Sequence, residues 1–324
     1  MHKELINEAM INLIIEPDGP ILIKAGGSGA DPTRPDMEFV RTFQNGKETI
    51  YLPGSSLKGV IRSHAERIAR TVDKSSKRNR FSCNPLGSID DRTDKKGEDY
   101  SCNKHFEKKE IKEELKNKSD RGSIIYKKSC FICKMFGNTA LSSHIQITDA
   151  YPISKVKIER RNGVAIDRVF GSVAVGPFQY EAATEGKFEA NISIKNFTIP
   201  QLGLLALVLR DIQEQRVPLG FAKSRGLGKI KADIKYAKIS YPTGELLNIE
   251  DGKLKGIGAF DDIQKDYCLS ENDYVEIESL KYEPDGWCGK VVKTEGMETN
   301  QPLYNLWVQC VSKWSDFVKG ENGK

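Results

Sequence analysis

The chain has 324 residues, 38% of them hydrophobic and 29% charged, with a formal net charge of +5. That is long enough for one large domain or two modest ones with a buried core. No stretch approaches the roughly twenty apolar residues of a membrane span, and the first residues lack the apolar run and small-residue cleavage site of a secretory signal, so a cytoplasmic protein with no membrane partner is expected.

The first strand is expected over 10–16, where apolar residues alternate imperfectly. Asp18-Gly19 makes a turn, and 21–24 reads as a short return or continuation. A glycine-rich loop at 25–30 leads into a polar, proline-punctuated segment. The clearest helix covers 57–72, because Leu57, Val60, Ile61, Ala65, Ile68, Ala69 and Val72 form one stripe at helical spacing. Ser55 or Ser56 is expected to supply its N-cap. Residues 73–129 show little hydrophobic periodicity, Lys and Arg outnumber Asp and Glu there, and the segment reads as a long insertion running to about 143. A structureless loop of that length calls for a staple.

Downstream, 145–150 reads as a strand, 156–179 as a protruding hairpin, and 188–195 as a half-buried strand with clean alternation. A second helix is expected over 200–215, with Pro200 suited to its first turn. A glycine- and arginine-bearing loop follows at 217–228, then a strand at 229–239. The order strand, helix, strand, strand, helix, strand is the split βαβ pattern of an α+β, ferredoxin-like sheet, the architecture of RNA recognition motifs. This predicts one domain over 1–240 and a C-terminal extension over 241–324, whose strands carry no readable order.

The seven cysteines are an odd number, which argues against a disulfide framework. Cys130 and Cys133 form a C-x-x-C, while Cys83 and Cys102 lie in the polar insertion, a segment with no evident core to bury them. Four thiolates, or three with His105, would close a tetrahedral zinc site and staple the insertion. Cys268, Cys288 and Cys310 read as isolated core or surface thiols. His64 and His144 are each a potential general base, with His64 expected to be packed or at the surface.

Two motifs far apart in sequence point to a family: YLPGSSLKGVIR at 51–62 and PLGFAKSRGLGKI at 218–230. Together with the intervening NGVAIDRVFGSVAVGPFQYEAATEGKFEANISI, they resemble the RAMP superfamily, and the PGSSLKG signature resembles that of CRISPR type III backbone subunits. The resemblance spans about residues 10–239. It implies a subunit that holds guide RNA (crRNA), pairs it with target RNA, and assembles with other RAMP subunits. Elementary chemistry agrees with an RNA site. Pro53 and Gly54 would turn the chain so that Ser55 and Ser56 open a helix with outward N–H groups; Gly59 would admit a close backbone, and Lys58 and Arg62 would flank a phosphate. Gly220, Gly226 and Gly228 allow unusual backbone angles beside Lys223 and Arg225, two further phosphate partners.

The resemblance also implies cleavage by an Asp between the first strand and the PGSS helix. Asp36, ahead of Phe39-Val40-Arg41, is the first candidate and Asp31 the reserve. Attack by a ribose 2′-OH on the adjacent phosphorus needs a proton acceptor and charge neutralisation that a divalent metal can provide, and the resemblance implies Mg²⁺ or a similar metal and cyclic phosphate ends. Within the hairpin, Arg160, Arg161 and Arg168 are expected to touch RNA backbone, with Ile166 or Val169 as a wedge. The alternatives are a guide-holding subunit without an active site, and a metal-independent guide-precursor endonuclease acting through a histidine.

Overall fold

The computed structural model describes residues 4–26, 35–74, 81–85, 101–116, 118 and 120–322. The chain opens with strand β1 (Glu8–Pro17), then a small hairpin of β2 (Arg41–Gln44) and β3 (Lys47–Ile50), and helix α1 (Gly54–Val72). The insertion contributes α2 (Cys102–Glu107), α3 (Lys109–Lys116), α4 (Arg121–Lys128) and α5 (Phe131–Phe136). Next come β4 (Ile145–Ile147), β5 (Tyr151–Pro152), the long hairpin β6 (Lys157–Ile166) and β7 (Val173–Glu185), β8 (Phe188–Lys195), α6 (Ile199–Gln213) and β9 (Ile230–Tyr241). The remainder holds β10 (Lys253–Lys255), α7 (Asp261–Tyr267), β11 (Tyr274–Glu276), β12 (Glu283–Asp285), β13 (Gly289–Glu295) and α8 (Pro302–Asn322).

The strands run β12-β13-β9-β1-β8-β4 across one antiparallel sheet. Its central four, β9-β1-β8-β4, with α1 linking β1 to β4 and α6 linking β8 to β9, form the ferredoxin-like arrangement expected from element order. Alternation along β8 explains its place: Phe188, Ala190, Ile192 and Ile194 are buried, and Glu189 and Lys195 are exposed. Burying each of the Phe and Ile side chains contributes about 1.5–3 kcal/mol. Helix α6 is apolar nearly all round because it is covered by α1, α8 and the sheet. At Gly203 a Cβ would collide with the Cys310 carbonyl, so only glycine lets α6 and α8 approach this closely. A capping box, Thr198 with Gln201, starts α6.

Two local expectations are corrected. The insertion is not structureless, since its described residues hold four helices, each of only six to eight residues and so about two turns long. The N-cap of α1 is Pro53, with Ser55 and Ser56 already inside the helix. The first amide is satisfied from afar: Gly54 N donates to Asp149 Oδ1 at 2.7 Å. A Cβ at Gly54 would strike the backbone at Ile147, so this glycine lets the helix start press against the chain after β4. The C-terminal strands β12 and β13 continue the sheet beyond β9.

Candidate nucleic-acid groove and metal centre

One stripe of α1 faces the second glycine motif. Ser56, Gly59, Val60, Ser63 and Arg67, at spacings of three and four, form one wall of a groove of about 510 Å³. Ile23 and Lys24 line it too, and Val217 through Phe221 with Lys223 form the opposite wall. The two motifs thus converge. A Cβ on Gly59 would meet no atom within 4 Å, so this glycine fills no packing role and leaves helix backbone open to the groove. Gly220 and Gly228 differ: with φ of +89° and +96°, each is pressed against a carbonyl, that of Leu22 or Leu219. Gly226 (φ +83°) is open, and the Arg225 guanidinium lies 5.3 Å from the centre of the Phe221 ring.

The charges are one-sided. Lys24, Arg67 and Lys223 line the groove, and among the described residues no carboxylate does. Burial, and then the Arg67 charge, hold the Lys223 ammonium below its ordinary pKa. Two cations facing each other without a carboxylate between them make a surface suited to an anion. Ser63, Arg67 and Lys24 were missed by motif reading; the signal available was the small-and-polar stripe Ser56, Gly59, Ser63, Arg67.

Lys58 and Arg62, expected at the phosphate, occupy another side of α1. Lys58 Nζ donates to Ser143 Oγ at 2.8 Å and to the Ile145 carbonyl at 3.1 Å. Arg62 donates to Glu66 Oε1 (3.0 Å), the Gly137 carbonyl (3.1 Å) and Cys133 Sγ (3.6 Å). The helix start expected to receive a phosphate already faces the Asp149 carboxylate, which disfavours a second anion there.

Asp36 is exposed, and its Oδ2 accepts from Gln179 N at 2.8 Å. The residues after it pair both ways: Met37 bridges to Tyr180 of β7, and Phe39 bridges to Lys24, which lines the groove. Asp36 therefore sits where the groove segment meets the base of the long hairpin. Buried Glu181 locks that base, accepting from Phe39 N at 3.1 Å and from Arg41 at 2.8 Å. Asp31 lies outside the described residues. In the hairpin, Arg161 donates to Glu159 at 3.1 Å, while Arg160 and Arg168 are exposed. Asp167 organises the turn by accepting from the amides of Val169 and Phe170. Val169 and Phe170 are each 83% exposed and Ile166 63%.

His64 is packed between helices, with Nε2 2.7 Å from Asp211 Oδ2, and it does not line the groove. His144 is buried, with Nδ1 2.8 Å from the Lys195 carbonyl.

The cysteines of the insertion come together. The sulfurs of Cys83, Cys102, Cys130 and Cys133 all lie within 4.8 Å of one another, and His105 is not one of the group. All four are buried, contrary to the expectation for Cys83 and Cys102, because the cluster joins the main core beside α1. Local geometry aims them: Cys130 caps α5 and accepts from Cys133 N at 3.4 Å, and Cys102 Sγ accepts from Cys130 N at 3.3 Å. The Cys83–Cys133 sulfur distance is 3.7 Å. A tetrahedral zinc with Zn–S of about 2.3 Å needs sulfur–sulfur edges of about 3.8 Å, so the donor set fits such an ion. Hydrogen bonds from neighbouring thiols pull Cys83 and Cys102 below the usual thiol pKa, while burial pushes Cys130 up. Cys268 is exposed, Cys288 half-buried and Cys310 buried.

The chain thus combines a ferredoxin-like sheet, a cationic, glycine-walled groove and a buried four-cysteine cluster. In the comparison with protein families, residues 14–231 match the RAMP superfamily, and the chain belongs to it. That membership implies CRISPR-associated RNA binding and RNA and protein-subunit partners in general. Among curated proteins nothing matches. Among the described residues, no helix is long and apolar enough to cross a membrane.

Proposed function

We propose that this chain is a guide-RNA-holding backbone subunit of a CRISPR type III interference complex and cuts the target RNA paired with that guide. The observation that carries the RNA-holding reading is the groove in which both glycine motifs meet, lined by Lys24, Arg67 and Lys223 without a carboxylate among the described residues. A sugar–phosphate backbone fits such a surface, since phosphate contacts fix position and leave sequence reading to base pairing. Ser56 and Gly59 admit the backbone closely, and Lys223, Arg225 and open Gly226 hold it from the other wall. Arg160, Arg161 and Arg168 extend the cationic track along the hairpin, whose apolar tip, including Ile166 and Val169, wedges against bases.

Cleavage falls to Asp36. The ribose 2′-OH attacks the adjacent phosphorus while the Asp36 carboxylate takes its proton; the P–O5′ bond breaks, and the departing oxygen takes a proton from water. The products are a 2′,3′-cyclic phosphate and a 5′-hydroxyl. Mg²⁺ neutralises phosphate charge when bound, and a single exposed carboxylate suits an ion that keeps most of its waters. The four cysteines hold a structural zinc that staples the insertion. The histidine-based reading draws less support, because His64, paired with Asp211, and buried His144 both lie off the groove lining.

The test is Asp36→Ala in the assembled complex. Cleavage of guide-complementary RNA should fall by at least 10²-fold, with the co-purifying guide and target affinity unchanged. Full cutting by this variant removes Asp36 from the chemistry. No cutting by the wild type leaves a guide-holding subunit alone, and no co-purifying RNA overturns the reading as a whole.

A further inference from the structure

Arg62 opens a line that the groove does not use. A divalent ion held by four thiolates carries a net charge of −2, and a buried net charge is costly unless cations and N–H donors meet it. Arg62 places a guanidinium N–H 3.6 Å from Cys133 Sγ. Its other donors go to the Gly137 carbonyl just past α5 and to Glu66 one turn along α1. Glu66 is buried and also accepts from Arg70 at 3.0 Å, and Arg70 in turn donates to the Cys83 carbonyl at 3.0 Å. Both ends of the cluster are therefore bonded to α1 through one network.

We propose that Arg62 is an outer-shell residue of the cysteine metal site, balancing its charge and tying the bound ion to α1. Glu66 and the Gly137 carbonyl fix the guanidinium fork, which a lysine cannot reproduce. The ion side of α1 (Lys58, Arg62, Glu66) and the groove side (Ser56, Gly59, Ser63, Arg67) lie about a third of a turn apart on the same helix. Clamping one side sets the rotation of the other. This second part rests on the groove being the RNA site.

The experiment separates metal from RNA. Zinc affinity is measured on the full chain by competition with a chromophoric chelator, and the thiolate-to-metal bands are followed after Co²⁺ substitution. Arg62→Met should lose 10–100-fold in metal affinity, the usual cost of removing an outer-shell partner. Arg62→Lys should lose less and serves as the readable variant should the methionine form not fold. At saturating zinc, Arg62→Met should bind guide RNA with the wild-type salt slope. The proposal is overturned if metal affinity stays within threefold in both variants, or if the salt slope falls by about one while metal affinity holds, as for a phosphate contact. Arg67→Ala reads the groove by itself: an unchanged slope there sinks the RNA site and leaves the metal result standing.

Discussion

The insertion and the long hairpin invert what their sequences advertise. The insertion is rich in Lys, Asp, Glu and Ser, yet Phe81, Cys83, Cys102, Phe106, Cys130 and Cys133 enter the main core. The hairpin carries Val164, Ile166, Val169, Phe170, Val173 and Val175, yet all six are exposed. Composition over a window is therefore a poor guide to burial when a few strong ligands or a partner surface decide it. Four thiols draw a polar segment inward. A two-stranded ribbon has no second layer to cover its apolar side chains, so they remain available to bases or a neighbouring subunit.

The contrast breaks most visibly on removing the zinc proposed at the four thiols. A chelator, or Cys133→Ser, should destabilise the chain by about 4 kcal/mol, the linkage expected for an ion held near a thousand times its dissociation constant. For a chain of 324 residues that corresponds to roughly 6 °C in Tm. A Tm unmoved by chelator means that the cluster packs as ordinary buried thiols. A smaller change should come from a buried acid with no metal beside it. Asp273, held by the amides of Ile199 (2.7 Å) and Gly258 (2.9 Å), has its pKa raised by burial to about 6. An acid raised in the folded state is favourable below its unfolded pKa, and that contribution is lost as pH climbs through 6. Between pH 3 and 7 it removes about 3 kcal/mol, roughly two units at about 1.4 kcal/mol each. Asp273→Asn should flatten that part of a denaturant-midpoint profile, and an unchanged slope assigns the pH dependence elsewhere. At the hairpin tip the expected stability effect is the least: Val169→Ser with Phe170→Ser should alter stability by less than about 0.5 kcal/mol. A loss of several degrees in the isolated chain means that the tip packs on its own protein.

The α1 stripe and the alternation of β8 were readable because each repeats one period long enough to register, and the split βαβ order followed from them. Cys130 and Cys133 were readable as a pair, and Cys83 and Cys102 as their distant partners, because thiols in a polar context have few other uses. Opaque were the cap from Asp149 and the locking of the hairpin base by Glu181, each set by a contact across 95 or more residues, and the placement of β12, a strand of three residues.

From sequence alone came the family, the ferredoxin-like core and the identity of the four thiols, since motif, period and residue chemistry are local properties. Only the folded chain decided which side of α1 meets which partner. A helix exposes a new side chain every 100°, so Lys58 and Gly59 are adjacent in sequence yet serve different neighbours. That assignment depends on what packs beside the helix, and no local pattern encodes it.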